Sequence, residues 1–221
     1  MKVAILGGTG DQGFGLSLRF AKNHEVIIGS RKKEKAEDAA EKVRNILKEK
    51  GIDANVIGLE NKDAAKEGDV VILSLPYEYT ISTIKELKDV LDGKIVVSIG
   101  VPLATAIGDK ATRPLLPPQG SVAEMVQEKL KNSKVVSAFQ NISSKALEDL
   151  DNPVECDVLV CGDDEEAKKV VMELAEEIEG VRAIDCGELE MSRIIEVITP
   201  LLIKLNIKHK LKGAGIRITG I

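Results

Sequence analysis

The sequence predicts an α/β protein: a doubly wound, mostly parallel sheet followed by a small C-terminal α+β domain. Two observations carry that expectation. Short apolar runs alternate along the chain with longer segments of helical periodicity, the rhythm of β-α-β units. The runs are also apolar at every position rather than at every second one, as in strands covered on both faces.

The elements follow in order. Residues 2–6 (KVAIL) read as the first buried strand, and residues 12–23, with Phe14, Leu16, Leu18, Phe20 and Ala21, as the first helix. Residues 25–29 (EVIIG) make the second strand. Residues 33–50 form a charged amphipathic helix with Ala36, Ala39, Ala40, Val43 and Leu47 inward, stopped by Gly51. A strand at 54–59 leads to a short helix that Asn61 can cap and Gly68 ends. Strands at 70–75 and 94–99 flank a helix at 81–91. The rhythm breaks over 102–120, where Pro102, Pro114, Pro117 and Pro118 predict a long irregular loop, a type that is usually functional or mobile. A helix at 121–130, strands at 134–139 and 157–161, a helix opened by Gly162-Asp163-Asp164, and a strand at 181–185 restore it. An apolar helix is expected over 189–210, kinked or divided by Pro200, and an extended segment over 215–221.

The turn after the first strand carries chemistry. Gly7-Gly8-Thr9-Gly10-Asp11-Gln12-Gly13 contains G-x-G-x-x-G at Gly8, Gly10 and Gly13, between a strand and a helix, and a second strand follows. That context marks a Rossmann-type dinucleotide site. Gly8 is expected to permit the turn, Gly10 to let the backbone approach a pyrophosphate, and Gly13 to let helix and strand pack closely. Backbone N–H groups at the helix start then face the diphosphate. Asp11 and Gln12 offer side-chain oxygens at the mouth. The end of the second strand selects the dinucleotide. A free ribose hydroxyl wants a carboxylate there; this chain has Ser30, Arg31, Lys32, Lys33 and Lys35 instead. Ser30, Arg31 and Lys35 suit a 2′-phosphate and hence NADP. The bland alternative is a solvated helix start, but cations at a helix N-terminus oppose its dipole unless an anion joins them. Leu75-Pro76 and Val101-Pro102 end two further strands and line the crevice by position.

Composition narrows the partners to small molecules. A net charge of −5, five aromatic residues and no Trp argue against nucleic-acid binding. No segment reads as a secretory leader or a membrane span, so a cytoplasmic protein is expected. Cys156, Cys161 and Cys186 match no zinc spacing and read as reduced thiols; no metal is expected. His24 and His209 both sit poorly for catalysis, and no Ser-His-Asp or paired-carboxylate pattern is visible. Direct hydride transfer between two carriers needs no catalytic side chain, only proximity and exclusion of water.

GGTGDQGFGLSLR, VIIGSRKKEKAEDAA, VVILSLPYEYT, KVVSAFQNIS and VCGDDEEAKKVVMELAEEI resemble the F420-dependent NADP reductases of archaea and some bacteria, over nearly the whole chain. The resemblance implies reversible hydride transfer between reduced coenzyme F420, an 8-hydroxy-5-deazaflavin, and NADP. It implies an NADP-binding domain over 1–140 and a small domain over 141–221 closing a deazaflavin cleft. Thr9, Gly10, Asp11 and Gln12 fall on the pyrophosphate, and Ser30, Arg31 and Lys35 on the 2′-phosphate. Leu75, Val101 and Ala138 fall along the nicotinamide, and Phe139, Gln140, Asn141 and Ile142 against the deazaflavin. Where a family member has His-Thr, this chain has Gln140-Asn141, leaving Gln140 to hydrogen-bond a ring carbonyl. Lys110 and Arg113 either meet the acidic tail of the deazaflavin coenzyme or are solvated loop charges.

Three alternatives stay open at this level. The stripe Ile194, Ile195, Ile198, Leu201, Leu202, Leu205 either caps the cleft or packs, within the chain or across a homo-oligomer, and packing is favoured. The chain could instead reduce a small imine or keto substrate. It could also be a non-catalytic NADP-sensing module.

Overall fold

The computed structural model describes residues 1–221. One eight-stranded sheet runs through it in the order β3-β2-β1-β4-β5-β6-β7-β8. Its strands are β1 (Lys2–Leu6), β2 (Glu25–Ser30), β3 (Val56–Glu60), β4 (Val70–Leu73), β5 (Ile95–Ser98), β6 (Lys134–Ser137), β7 (Cys156–Gly162) and β8 (Val181–Asp185). Every neighbouring pair is parallel except β6 and β7, which meet antiparallel through only two residue pairs, Val136 with Gly162 and Ser137 with Cys161.

The strands are apolar throughout because helices cover both faces. Along β1, Val3 and Ile5 join one core, while Ala4 and Leu6 join the other. The first core lies under α1 (Asp11–Phe20), α2 (Lys33–Glu49) and α7 (Glu165–Glu176), which contribute Leu16, Phe20, Val43, Leu47, Val171 and Leu174. The second lies under α3 (Asn61–Glu67), α4 (Tyr77–Leu91) and α5 (Val122–Lys129), with Ala64, Ile84, Leu87 and Val126. Each fully buried Leu or Ile here contributes roughly 2 kcal/mol relative to exposure.

The structure departs from expectation in four places. Helix α4 starts at Tyr77, earlier than its apolar pattern indicates, because Pro76 at φ −57° already suits a helix entry. A short α6 (Ser144–Glu148) was not expected; Ser143 caps it by accepting from the Ala146 N–H. The 189–210 segment is a 3₁₀ turn (Leu189–Met191), α8 (Ser192–Ile195) and α9 (Ile198–His209). Its break falls before Pro200, which sits in the first turn of α9, where the missing N–H is no loss. Asn61, expected to cap α3, is instead its first residue and makes no cap hydrogen bond. Over 102–120 the loop holds one 3₁₀ turn (Ala104–Ile107) and a bridge between Leu103 and Pro114.

Side-chain bonds to backbone fasten the C-terminal third to the rest. Arg19, 3% exposed, donates at 2.8 Å to the carbonyls of both Leu147 and Ala146 at the end of α6. The C-terminal tail is held by Asp157, which is fully buried on β7. Its carboxylate takes Arg182 Nη2 at 2.6 Å, Arg217 Nη1 at 2.8 Å and the Ile218 N–H at 2.6 Å. These partners, Arg182 first, hold the Asp157 carboxyl far below the usual carboxylate range.

A depressed folded-state pKa gives stability that is present above the unfolded value of 3.8 and is lost as pH falls below it. Asp157→Asn is therefore expected to cost about 2 kcal/mol at neutral pH, the scale of hydrogen bonds to a charged group. The deficit should shrink as acid melts of wild type and variant converge below the ordinary carboxylate range. Parallel acid profiles would contradict the assignment.

Candidate functional site

A cleft of about 880 Å³ opens at the carboxyl ends of the parallel strands. It lies where the winding reverses, because β1 pairs with β2 on one side and β4 on the other. Open α/β sheets bind ligands at this switch point. The cleft is lined by Thr9, Gly10, Asp11, Gln12, Ser30, Arg31, Lys35, Leu75, Pro76, Val101 and Gln140 among the sequence-derived candidates.

The glycine turn divides its labour differently from expectation. The left-handed residue is Gly7, at φ +73°, rather than Gly8; a Cβ there would sit 2.3 Å from the Ser74 carbonyl oxygen. Gly8 and Gly13 pack against each other and do not line the cleft: a Cβ on Gly13 would lie 2.7 Å from Gly8 Cα. Gly10 is unlike both. It has φ −85° and ψ 159°, open to any residue, and a Cβ there would meet nothing nearer than the Gly7 oxygen at 3.6 Å. Nothing in the chain requires a glycine at 10, and the space beside it opens onto the cleft. Helix α1 begins at this point with no side-chain cap, so its first N–H groups face that space. Gln12 lines the cleft, but its amide nitrogen is engaged by the carbonyls of Ile142 at 3.2 Å and Phe139 at 3.4 Å.

At the other end, Ser30 is buried while Arg31, Lys32 and Lys35 are exposed. Helix α2 also starts without a side-chain cap. Lys33 pairs with Glu37, but Arg31, Lys32 and Lys35 form no ion pair. The Arg31 guanidinium lies 5.5 Å from the Tyr79 ring centroid, a cation–π contact that holds it over the cleft. The result is a cationic corner with two helix N-termini nearby and no carboxylate paired to it.

The far end is built around β6. Phe139 follows it in a left-handed conformation (φ 65°), buried edge-on against Phe20. Non-glycine residues hold such a conformation at a cost of about 1–3 kcal/mol, and such sites cluster where function needs them. The turn swings Gln140 into the cleft wall. Its Nε2 donates to the Ser98 carbonyl at 3.1 Å and to Ser137 Oγ at 2.5 Å, while Oε1 is buried without a partner. The expectation that Gln140 donates to a ring carbonyl is corrected here: its donors are spent, and what remains is an acceptor. Ala138 is fully buried in the core rather than on the cleft. Asn141 and Ile142 also turn inward. Asn141 donates at 2.6 Å to the Asp157 carbonyl, and Ile142 joins the first core.

Several lining residues had no signal in the sequence. Tyr79 lies on the first turn of α4, whose early start was missed. Asn61 brings a buried, unpartnered Oδ1. Thr199 arrives from α9 and donates to the Gln140 carbonyl at 2.7 Å. Neither histidine lines the cleft: His24 meets Glu177 at 2.9 Å, and His209 ends α9. The three cysteines are free and lie elsewhere, with burial pushing Cys161 up to about 12. No group of three His, Cys, Asp or Glu is arranged to hold a metal. Near the Thr199 wall, Glu196 is buried, which pushes its carboxyl up to about 8 against two backbone N–H bonds that favour its ionised form.

The family described as NADP oxidoreductase, coenzyme F420-dependent, matches residues 2–102. The F420-dependent NADP reductase of Methanocaldococcus jannaschii is 77% identical over all of this chain and 99% of its own length. That of Methanothermobacter marburgensis is 47% identical, again over all of this chain and 99% of its own. Among solved structures, a candidate F420-dependent NADP reductase from Arthrobacter sp. FB24 superposes with a TM-score of 0.82 at 26% identity, covering the whole of both chains. A pyrroline-5-carboxylate reductase from Coxiella burnetii shares the fold at 15% identity and a TM-score of 0.57.

Because no protein atom needs the space above Gly10, Gly10→Val should fold with an unchanged melting temperature yet lose dinucleotide binding in calorimetry. Binding that survives the substitution would show that the ligand does not approach the helix start.

Proposed function

The chain belongs to the coenzyme F420-dependent NADP oxidoreductase family, and from that premise we propose how its cleft divides between the two coenzymes. The protein is an NADP-dependent oxidoreductase that transfers a hydride between reduced coenzyme F420 and NADP. When both coenzymes are bound they supply the chemistry themselves; the chain binds, orients and excludes water.

In this reading the uncapped start of α1, with Thr9, Gly10, Asp11 and Gln12, takes the pyrophosphate. The space above Gly10 supports it. Ser30, Arg31 and Lys35 take the 2′-phosphate; the observation that carries this is a cationic corner with no carboxylate partner. Leu75, Pro76 and Val101 flank the nicotinamide between these ends. Gln140 belongs to the deazaflavin end, where its free oxygen accepts from a ring N–H rather than donating. Residues 1–140 form the NADP-binding part, and 141–221 close the cleft through Thr199. Ala138, Asn141 and Ile142 act from behind, by holding the chain around Phe139.

The partners in this reading are small-molecule coenzymes in the cytoplasm, and a second copy of the chain. No helix is long and apolar enough to cross a membrane, and the three thiols are free. The apolar stripe of the 189–210 segment splits in two. Ile195 and Leu202 are buried within the chain, whereas Ile194 and Leu201 are 59% and 56% exposed. With the half-buried Ile198 and Leu205 they follow an i, i+4, i+7, i+11 spacing, which leaves exposed apolar surface at Ile194 and Leu201 that suits a homo-oligomer contact.

Arg31→Glu removes a phosphate partner and adds repulsion, so the KM for NADP should rise about tenfold more than that for NAD. Equal changes for both would sink the assignment of the corner. Leu201→Glu should shift the sedimentation coefficient toward the monomer; an unaltered value would remove the ridge from any subunit contact.

A further inference from the structure

Two walls of the cleft come from distant parts of the sequence, and one buried carboxylate joins them. Glu196 lies between α8 and α9 and is 1% exposed. Its oxygens accept from the N–H groups of Val122 at 2.8 Å and Ala123 at 3.0 Å, the first two residues of α5. Helix α5 is where the 102–120 loop ends, and that loop supplies Leu103 and Thr105 to the cleft. Three residues after Glu196, Thr199 lines the same cleft and donates to the Gln140 carbonyl at 2.7 Å. The same stretch touches α5 twice more. Ser192 Oγ lies 2.6 Å from Ser121 Oγ, and Arg193 meets Glu124 at 2.6 Å. The Arg193 pair is bidentate and braces the same joint nearer the surface. The buried carboxyl, with both oxygens on backbone N–H groups, is the rigid part of the joint.

We propose that Glu196 is a positioning residue that fixes the distance between the loop wall and the Thr199 wall, and so the width of the deazaflavin end of the cleft. It touches neither coenzyme. The cationic corner at Ser30 and Arg31 is built on β2 and α2, which share no contact with Glu196. Loosening the clasp therefore acts on the deazaflavin end and leaves the corner that anchors NADP by its phosphate alone. A residue that merely stabilised the fold would weaken both as the protein softened. The inference rests on the division of the cleft proposed above.

The test compares wild type, Glu196→Ala and Glu196→Gln. Turnover is followed with reduced coenzyme F420 and NADP, and NADP affinity by calorimetry on the same preparations. Glu196→Ala should lower kcat/KM for reduced coenzyme F420 by about tenfold or more, since small misplacements of a binding wall are amplified in rate. Its Kd for NADP should stay at the wild-type value. Glu196→Gln keeps one acceptor oxygen but sets an amide nitrogen against the other backbone N–H, and should recover part of the loss. If the Ala variant does not fold, Glu196→Asp, which withdraws the carboxyl by one methylene, should show the same one-sided loss. An active wild type whose variants lose nothing, or lose NADP affinity in proportion, overturns the positioning role. A wild type inactive with this coenzyme pair overturns the division of the cleft, and this inference with it.

Discussion

The first turn of α1 faces a space that the chain keeps empty, and much of the architecture exists to hold it there. Backbone N–H groups without a partner are costly when buried. At the start of α1 they stand at the mouth of a cleft, directed at a gap that Gly10 does not fill. Gly7 turns the chain sharply under Ser74, and Gly13 lets the helix lie against Gly8. The parallel ladder on either side of β1 fixes where that turn emerges. With helices over both faces of the sheet, the carboxyl edge is where backbone is left for a ligand to reach.

The opposite sign of charge is handled in the same manner. Arg31, Lys32 and Lys35 stand near the uncapped start of α2, an arrangement that electrostatics alone disfavours. Tyr79 steadies one of them through its ring face. Glu34, in the same turn, makes no ion pair with them, so in the proposed reading an incoming anion would complete both the helix end and the cations. This is ordinary local chemistry made incomplete, and the incompleteness is what specifies the partner.

What the sequence disclosed follows from how local each cause is. The strands of the first half are set by short apolar runs, and the glycine turn by residues within one loop, so both were legible. The basic corner was legible because it is contiguous. Gln140 lines the cleft, but only the folded chain reveals that Ser98 and Ser137 use its nitrogen. Asn141 and Ile142 are neighbours of Gln140 in sequence yet face the core, because Phe139 reverses the backbone in a conformation that no residue pattern announces. Thr199 and Tyr79 come from distant helices whose ends depend on tertiary packing. The 189–210 segment was expected to kink or divide at Pro200; it divides earlier, and the buried Glu196 occupies the interruption.

The antiparallel joint between β6 and β7 has a consequence for cohesion. A ladder of two residue pairs is a weak seam in a sheet whose other neighbours share four or more. Across it, the molecule depends on the shared first core under α1 and α7 and on side-chain ties such as those of Arg19. A guest that lies against both Gly10 and Thr199 would span the same divide. By mass action it would then act as an added cross-brace. In that sense bound coenzymes would be provisional members of the framework.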